Sequence, residues 1–214
     1  MIAIIGLGNP DKQYDNTYHN VGFMTIDHFS KTNGLNFTKK KYKGVVAEGV
    51  VEGEKVVLLK PHTYMNLSGQ AVVELKNKLK LDLHQIIVVY DDIDIPLGTL
   101  RFRKSGSPGT HNGMRNITTL LGSQDFARLR VGIGQDTRMP LVNYVLSSID
   151  KSSGEKLKTA FEKSDKALLQ FIKSEGKIDN IDFKSVISSY SFMDSIVSKS
   201  KYILYGFDKN TSIR

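Results

Sequence analysis

The chain has 214 residues, a hydrophobic fraction of 40%, a formal net charge of +8 and a pI of about 9.4. That length fits one domain with a real core, and the positive surplus favours a polyanionic partner. Cysteine is absent, which excludes a disulfide, a thiolate nucleophile and Cys-ligated zinc.

No run of eighteen apolar residues is present, which argues against a membrane span. The chain starts directly in apolar residues with no basic segment or cleavage site, which argues against a signal peptide, and the absence of cysteine suits a cytoplasmic protein. Ile2–Ile5 reads as a buried strand, and Gly6 and Gly8 let the chain turn at its end. Asn9-Pro10 opens a polar loop that His19-Asn20 closes, and Val21 to about Thr32 has a helical apolar side. Four lysines (Lys39, Lys40, Lys41 and Lys43) precede Val45–Val51, which with Val56–Leu59 predicts an antiparallel hairpin about Glu52-Gly53-Glu54. After a polar loop over Lys60–Asn66, Ser68 is placed to cap a helix over Gly69–Leu79. Ile86–Tyr90 is continuously apolar and reads as a central strand, followed by Asp91, Asp92 and Asp94. Thr99–Arg103 alternates as a strand. Ser105–Gly113 is a loop into a helix over Met114–Leu121, and Phe126–Ile133 is another strand. Leu141–Leu146 is an apolar patch suited to covering something, and Lys151–Lys173 is a long amphipathic helix. A further helix is expected from Phe183 to about Ser200, then an apolar, aromatic stretch at Tyr202–Phe207. The fold class is therefore α/β: a single domain with a mixed parallel and antiparallel β-sheet and helices on both faces. Strand order is not readable from this pattern.

Several polar groups fall where chemistry is possible. Gly6 and Gly8 invite a dinucleotide reading, but the third glycine of that fingerprint would stand at Asp11. No phosphate-binding Gly-Lys-Ser/Thr loop and no Gly-x-Ser-x-Gly elbow is present. His19 is a candidate base, since a neutral imidazole accepts a proton near neutral pH; the plain alternative is a surface histidine beside a helix start. Asp91, Asp92 and Asp94 could bind Mg²⁺, or one could orient a histidine, or all could be a solvated loop. His111-Asn112-Gly113 would offer helix N–H groups to a phosphate or an oxyanion. Arg101 with Arg103, and Arg128 with Arg130, each share one strand face and suit phosphate as well as solvent. Between Leu97 and Arg138 there are seven basic residues against two acidic ones, and this stretch also carries the most distinctive polar residues. Asn9, Asn66 and Asn112 could each fix an amide or a sugar, or serve only as turn formers.

The ordered segments Gly6-Leu-Gly-Asn9-Pro10 with Tyr14 and His19-Asn20-Val-Gly22, Lys60-Pro61 to Asn66-Leu-Ser-Gly69, Asp91 to Gly98, Gly106 to Gly113, and Arg128 to Gly134 resemble the bacterial-type peptidyl-tRNA hydrolase family. They cover about residues 1–175. The resemblance implies a metal-independent hydrolase, without cofactor, that cleaves the ester between peptide and tRNA. His19 would be the general base on a water and Asp91 its orienting partner. Asn9, Asn66 and Asn112 would position substrate and water. Tyr14, Tyr64, Met65 and His111 would complete the pocket, and Arg103 and Arg130 would grip the acceptor arm. The implied partner is peptidyl-tRNA through its acceptor arm and 3′ end, with no obligatory protein partner, and the protein would be a monomer. A non-catalytic RNA-binding or splicing cofactor on the same fold is the alternative. The chain departs from the family at Thr110, where glycine is common, and in its tail. The expected organisation is a catalytic domain over residues 1–190 and an extension of unknown role over residues 191–214.

Overall fold

The apolar run that opens the chain, β1 (Ile2–Gly6), is the middle strand of a seven-stranded sheet, and Ile2–Ile5 have no exposed surface. A computed structural model describes residues 1–179 and 181–188. Helix α1 (Val21–Thr32) follows, then β2 (Lys39–Lys41), β3 (Gly44–Val51), β4 (Glu54–Pro61), α2 (Ser68–Leu79) and β5 (Ile86–Asp92). The second half holds β6 (Leu100–Arg103), α3 (Asn112–Leu121), β7 (Ala127–Gly132), α4 (Leu141–Val145), α5 (Lys151–Lys173) and α6 (Phe183–Ser188). The order across the sheet is β2-β3-β4-β1-β5-β7-β6. β4, β1, β5 and β7 run parallel, and β2, β3 and β6 are antiparallel to their neighbours.

The period-2 rule of strands decides what each side chain faces. Ile2 and Ile4, with Leu58, Ile87 and Val89, pack on one side with Phe29 of α1 and Leu157, Leu168 and Phe171 of α5. Ala3 and Ile5, with Leu59 and Val88, pack on the other side with Val72 and Leu75 of α2 and Met114 and Ile117 of α3. Strands buried on both faces read as continuous apolar runs, which is why β1 and β5 do. The chain leaves β1 over one face through α1 and reaches β5 over the other face through α2. The carboxyl ends of β1 and β5 thus meet at a switch point, where a crevice opens in α/β sheets.

Gly6 and Gly22 serve this packing rather than a nucleotide. A Cβ on Gly6 would stand 2.4 Å from the Gly22 carbonyl oxygen, and one on Gly22 would stand 2.5 Å from Leu7 N, Leu7 O and Val89 O. At that approach the Phe23 N–H donates to Leu7 O (3.0 Å) and the Leu7 N–H to Val89 O (2.9 Å). Gly22→Ala must push helix from strand, since every clashing atom is backbone. It should cost about 1–3 kcal/mol, read as a lower urea midpoint at unchanged m-value; an unmoved midpoint would show that the junction yields.

Three expectations need correction. The lysine run is itself a strand: β2 is an edge on which Lys39 and Lys41 pair with Glu48 of β3, at 2.7 and 2.9 Å. Charge suits an edge that must not recruit another strand. Ser68 does not cap α2; its hydroxyl donates back to Met65 O at 2.9 Å. Asp91 and Asp92 lie within β5 and are buried, not in a solvated loop. The expected continuation of the last helix to Ser200, the stretch Tyr202–Phe207 and the expected extension over 191–214 lie outside the described residues, apart from α6 itself.

Candidate active site

The loop between β1 and α1 is clamped before it delivers His19. Asn16 Nδ2 donates to Ile149 O (3.1 Å), and the Ile149 N–H returns to Asn16 O (2.9 Å). Tyr18 stacks on Tyr144 with centroids 4.9 Å apart, and the Tyr144 hydroxyl donates to Ile133 O at 2.6 Å. The chain then makes a short 3-10 turn, Tyr18–Asn20, that presents His19 at the crevice. Asn20 closes the loop on itself. Its Oδ1 accepts the Asn9 N–H (2.8 Å) and its Nδ2 donates to Asn9 O (3.0 Å). The sequence reading gave Asn20 no role. Its only signal was position, beside the candidate base.

His19 Nδ1 lies 2.9 and 3.1 Å from the two oxygens of Asp91. His111 Nε2 lies 3.0 Å from Asp91 Oδ1, so one carboxylate is held between two imidazoles. The side chains are 13% exposed for His19, 2% for Asp91 and 9% for His111. Burial would push the Asp91 carboxyl up. The two imidazoles outweigh it and hold the group well below the ordinary carboxylate range. At His19 burial opposes the charged form, but the Asp91 charge and its hydrogen bond win and raise the imidazole above 6.5. With Nδ1 committed to Asp91, Nε2 of His19 has no partner among the described residues and belongs to a ring that lines an open cavity.

That cavity has a volume of about 430 Å³. Its walls include His19, Asp91, His111, Asn112, Arg103 and Arg130, and the loop Ser105–Thr110. Leu141, Val142 and Val145 of α4 complete it, so the apolar patch does cover something. The three ligand-type atoms of His19, Asp91 and His111 come within 4.8 Å of one another, a spacing a cation could bridge. In this arrangement both ring nitrogens bond the carboxylate instead. The three aspartates do not form a Mg²⁺ cage. Asp92 accepts the Asp94 N–H (2.9 Å) and pairs with Arg130, so it is turned away from Asp91's partners.

The asparagines separate. Asn9 is buried, and its Oδ1 accepts the Met65 N–H at 2.9 Å. That bond fixes the amide orientation and leaves Nδ2 without a partner among the described residues. Met65 is buried, and its sulfur would lie 2.5 Å from a Cβ on Gly113, which ties the β4 loop to the start of α3. Tyr64 takes φ 58° and ψ 161°, a region that glycine normally occupies, at a cost of about 1–3 kcal/mol. Its hydroxyl donates to Asp11 at 2.7 Å. Asn66 and Asn112 are exposed and make no side-chain hydrogen bond among the described residues. Asn9, Tyr14, Tyr64, Met65 and Asn66 do not line the His19 cavity; they stand on the β1–β4 side of the crevice.

The arginine pairs also separate. Arg128 is 1% exposed. Its Nη1 donates to Gly106 O (2.6 Å) and Ser107 O (3.2 Å), its Nη2 to Gln124 O (3.0 Å), and its guanidinium lies 4.7 Å from the Phe126 ring centre. It holds the Ser105–Thr110 loop and is neither a solvated charge nor an open phosphate contact. Arg130, on the same face, is partly exposed and pairs with buried Asp92. Arg103 is exposed, with Nη1 on its own strand at Phe102 O (3.1 Å).

A family model for peptidyl-tRNA hydrolase matches residues 3–188. The chain belongs to the peptidyl-tRNA hydrolase family. A peptidyl-tRNA hydrolase of Clostridium perfringens (strain ATCC 13124) is 44% identical over 186 residues, covering 87% of this chain and 98% of that one. Another, from Thermoanaerobacter sp. (strain X514), is 46% identical over 174 residues, covering 81% and 94%. Among solved structures, the peptidyl-tRNA hydrolase of Acinetobacter baumannii superposes with a TM-score of 0.80 at 30% identity, covering 89% of this chain and 96% of that chain.

Thr110 stands where glycine is common in the peptidyl-tRNA hydrolase family. The positive backbone angles there belong to Gly106 (φ 146°) and Gly109 (φ 58°), and Thr110 has no positive φ. A Cβ is therefore tolerated at residue 110 without strain.

Proposed function

We propose that this member of the peptidyl-tRNA hydrolase family cleaves the peptide–tRNA ester with a water that His19 deprotonates. The observation that carries the reading is the Asp91–His19 Nδ1 hydrogen bond, which leaves Nε2 of the same ring at the cavity. His19 Nε2 takes a proton from water as the oxygen attacks the ester carbonyl. The tetrahedral oxyanion collapses, and the same imidazolium returns the proton to the departing ribose oxygen. Asp91 holds the tautomer and supports the imidazolium as it forms. A ribose hydroxyl leaves more readily than an amine, so a base and carbonyl polarisation suffice. Asn9 supplies its Nδ2 donor, and Asn66 and Asn112 place the substrate and its water, with Tyr14, Tyr64 and Met65 beside them. Neither a metal nor a protein partner takes part, and the enzyme acts as a cytoplasmic monomer on the acceptor arm and 3′ end of its tRNA. Nothing in the comparisons favours the non-catalytic RNA-binding alternative.

The test is hydrolysis of N-acylated aminoacyl-tRNA, with free aminoacyl-tRNA as control. Turnover of the first and sparing of the second, both unaffected by EDTA, is the expected result. Loss of turnover on chelation would transfer the chemistry to a cation.

The basic rim is supported by the net charge of +8 and by Arg103 and Arg130 on the cavity wall. Each lost phosphate contact should lower the slope of log affinity against log salt by about one. Arg103→Ala is the cleaner probe, because Arg103 is exposed. Arg130→Ala also strands the buried Asp92 carboxylate, at about 3 kcal/mol. An unchanged salt slope in Arg103→Ala would remove that residue from the interface.

A further inference from the structure

His111 has more to do than line a wall. Its Nδ1 accepts the N–H of Met114 in the first turn of α3 at 3.2 Å, so the imidazole is the N-cap of that helix. A nitrogen that accepts an N–H carries no proton, so the single proton of the neutral ring sits on Nε2. Nε2 lies 3.0 Å from Asp91 Oδ1 and must be the donor there.

We propose that His111 is a positioning residue that assigns the charge in the site: helix α3 fixes its neutral tautomer, it gives Asp91 one uncharged hydrogen bond, and His19 is left as the histidine that takes up the proton. The inference rests on the reading of His19 as the base. Protonating His111 would set an imidazole N–H against the Met114 N–H. It would also place two cationic rings, with centroids 5.1 Å apart, on one carboxylate. The cap thus penalises the wrong histidine. The other ionisable groups on the cavity are already committed or lie at its rim. Asp92 pairs with Arg130, and Arg128 holds the Gly106 and Ser107 carbonyls. Arg103 and Asp94 are exposed, and Tyr90 meets His111 edge-on at 4.9 Å. The arrangement also ties Asn112, the next residue, to the carboxylate that orients the base.

Two substitutions separate the two nitrogens. In His111→Asn the amide oxygen can replace Nδ1 and keep the helix cap, but nothing reaches Asp91. In His111→Gln the longer amide can place its N–H where Nε2 stood. Long-range ¹H–¹⁵N spectra of the five histidines, titrated with pH and assigned by loss of the His111 signals in the variants, read the tautomer without turnover. The wild-type His111 ring should hold its proton on Nε2. In His111→Asn the Asp91 charge is no longer shared. The His19 midpoint and the acid limb of kcat/KM should then rise together by about half to one pH unit. His111→Gln should bring both back. A purely structural role would disturb melting and leave the His19 midpoint where it was, which would overturn the proposal, as would a proton on Nδ1 of His111. A kinetic limb that ignores the His19 midpoint would count against His19 as the base, and the tautomer readout would still decide His111.

Discussion

His19→Ala should lower kcat on peptidyl-tRNA by about 10²–10⁴-fold, the usual contribution of a positioned general base. Its Kd for deacylated tRNA should stay near that of the parent, because the ring contacts Asp91 and the cavity rather than the basic rim. The melting temperature should fall modestly. Asp91 loses one partner but keeps His111 on Oδ1, and the loop that carried His19 is still clamped through Asn16, Tyr18 and Asn20. Single-turnover hydrolysis, a tRNA binding isotherm and a thermal melt on the same preparation separate these terms. A kcat within a few-fold of the parent would remove His19 as the base, whatever its geometry.

Asp91→Asn tests the other half of the pair, and its sign is set by the structure. The base must be neutral to act, so activity rises with pH through the His19 pKa. Burial alone lowers that pKa, and the Asp91 charge and hydrogen bond raise it, with a net position above 6.5. Removing the charge leaves burial unopposed. The acid limb of kcat/KM, which reports the free enzyme, should therefore move from above 6.5 to below it. The rate should fall even where His19 is neutral. His111 keeps its Nε2–H donor because α3 holds Nδ1, so the new amide turns its oxygen to His111 and its N–H₂ to His19. His19 Nδ1 must then accept, the ring proton moves to Nε2, and the nitrogen facing the cavity is no longer basic. A loss on the order of 10⁴-fold fits such a tautomer error, as in the His–Asp pair of a Ser-His-Asp triad. Full kcat at high pH, with only the limb displaced, would mean that Asp91 tunes His19 without orienting it.

The local elements were legible before the fold was known. β1, α1 and α5 follow the chain's own periodicity, and α1 and α5 run over Val21–Thr32 and Lys151–Lys173 as the pattern predicts. The candidate polar residues were legible too, with His19, Asp91 and the asparagines each near the end of a strand or the start of a helix, but their roles came from the resemblance to the family. Element periodicity is a property of residues a few positions apart, and spacing reports it directly. Tertiary structure decided the rest. Strand order alone brings Asp91 to His19, 72 positions away, and His111 to both. Arg128 and Arg130 are indistinguishable in sequence, yet Arg128 is buried and bonded to loop carbonyls while Arg130 is partly exposed and paired with Asp92. Three adjacent lysines form a strand because β3 offers them backbone partners and Glu48. Gly6 and Gly8 read as a broken nucleotide loop until α1 was seen resting on the first of them. Each of these facts depends on what a residue meets across the fold, and burial by a distant segment leaves no period in the local sequence.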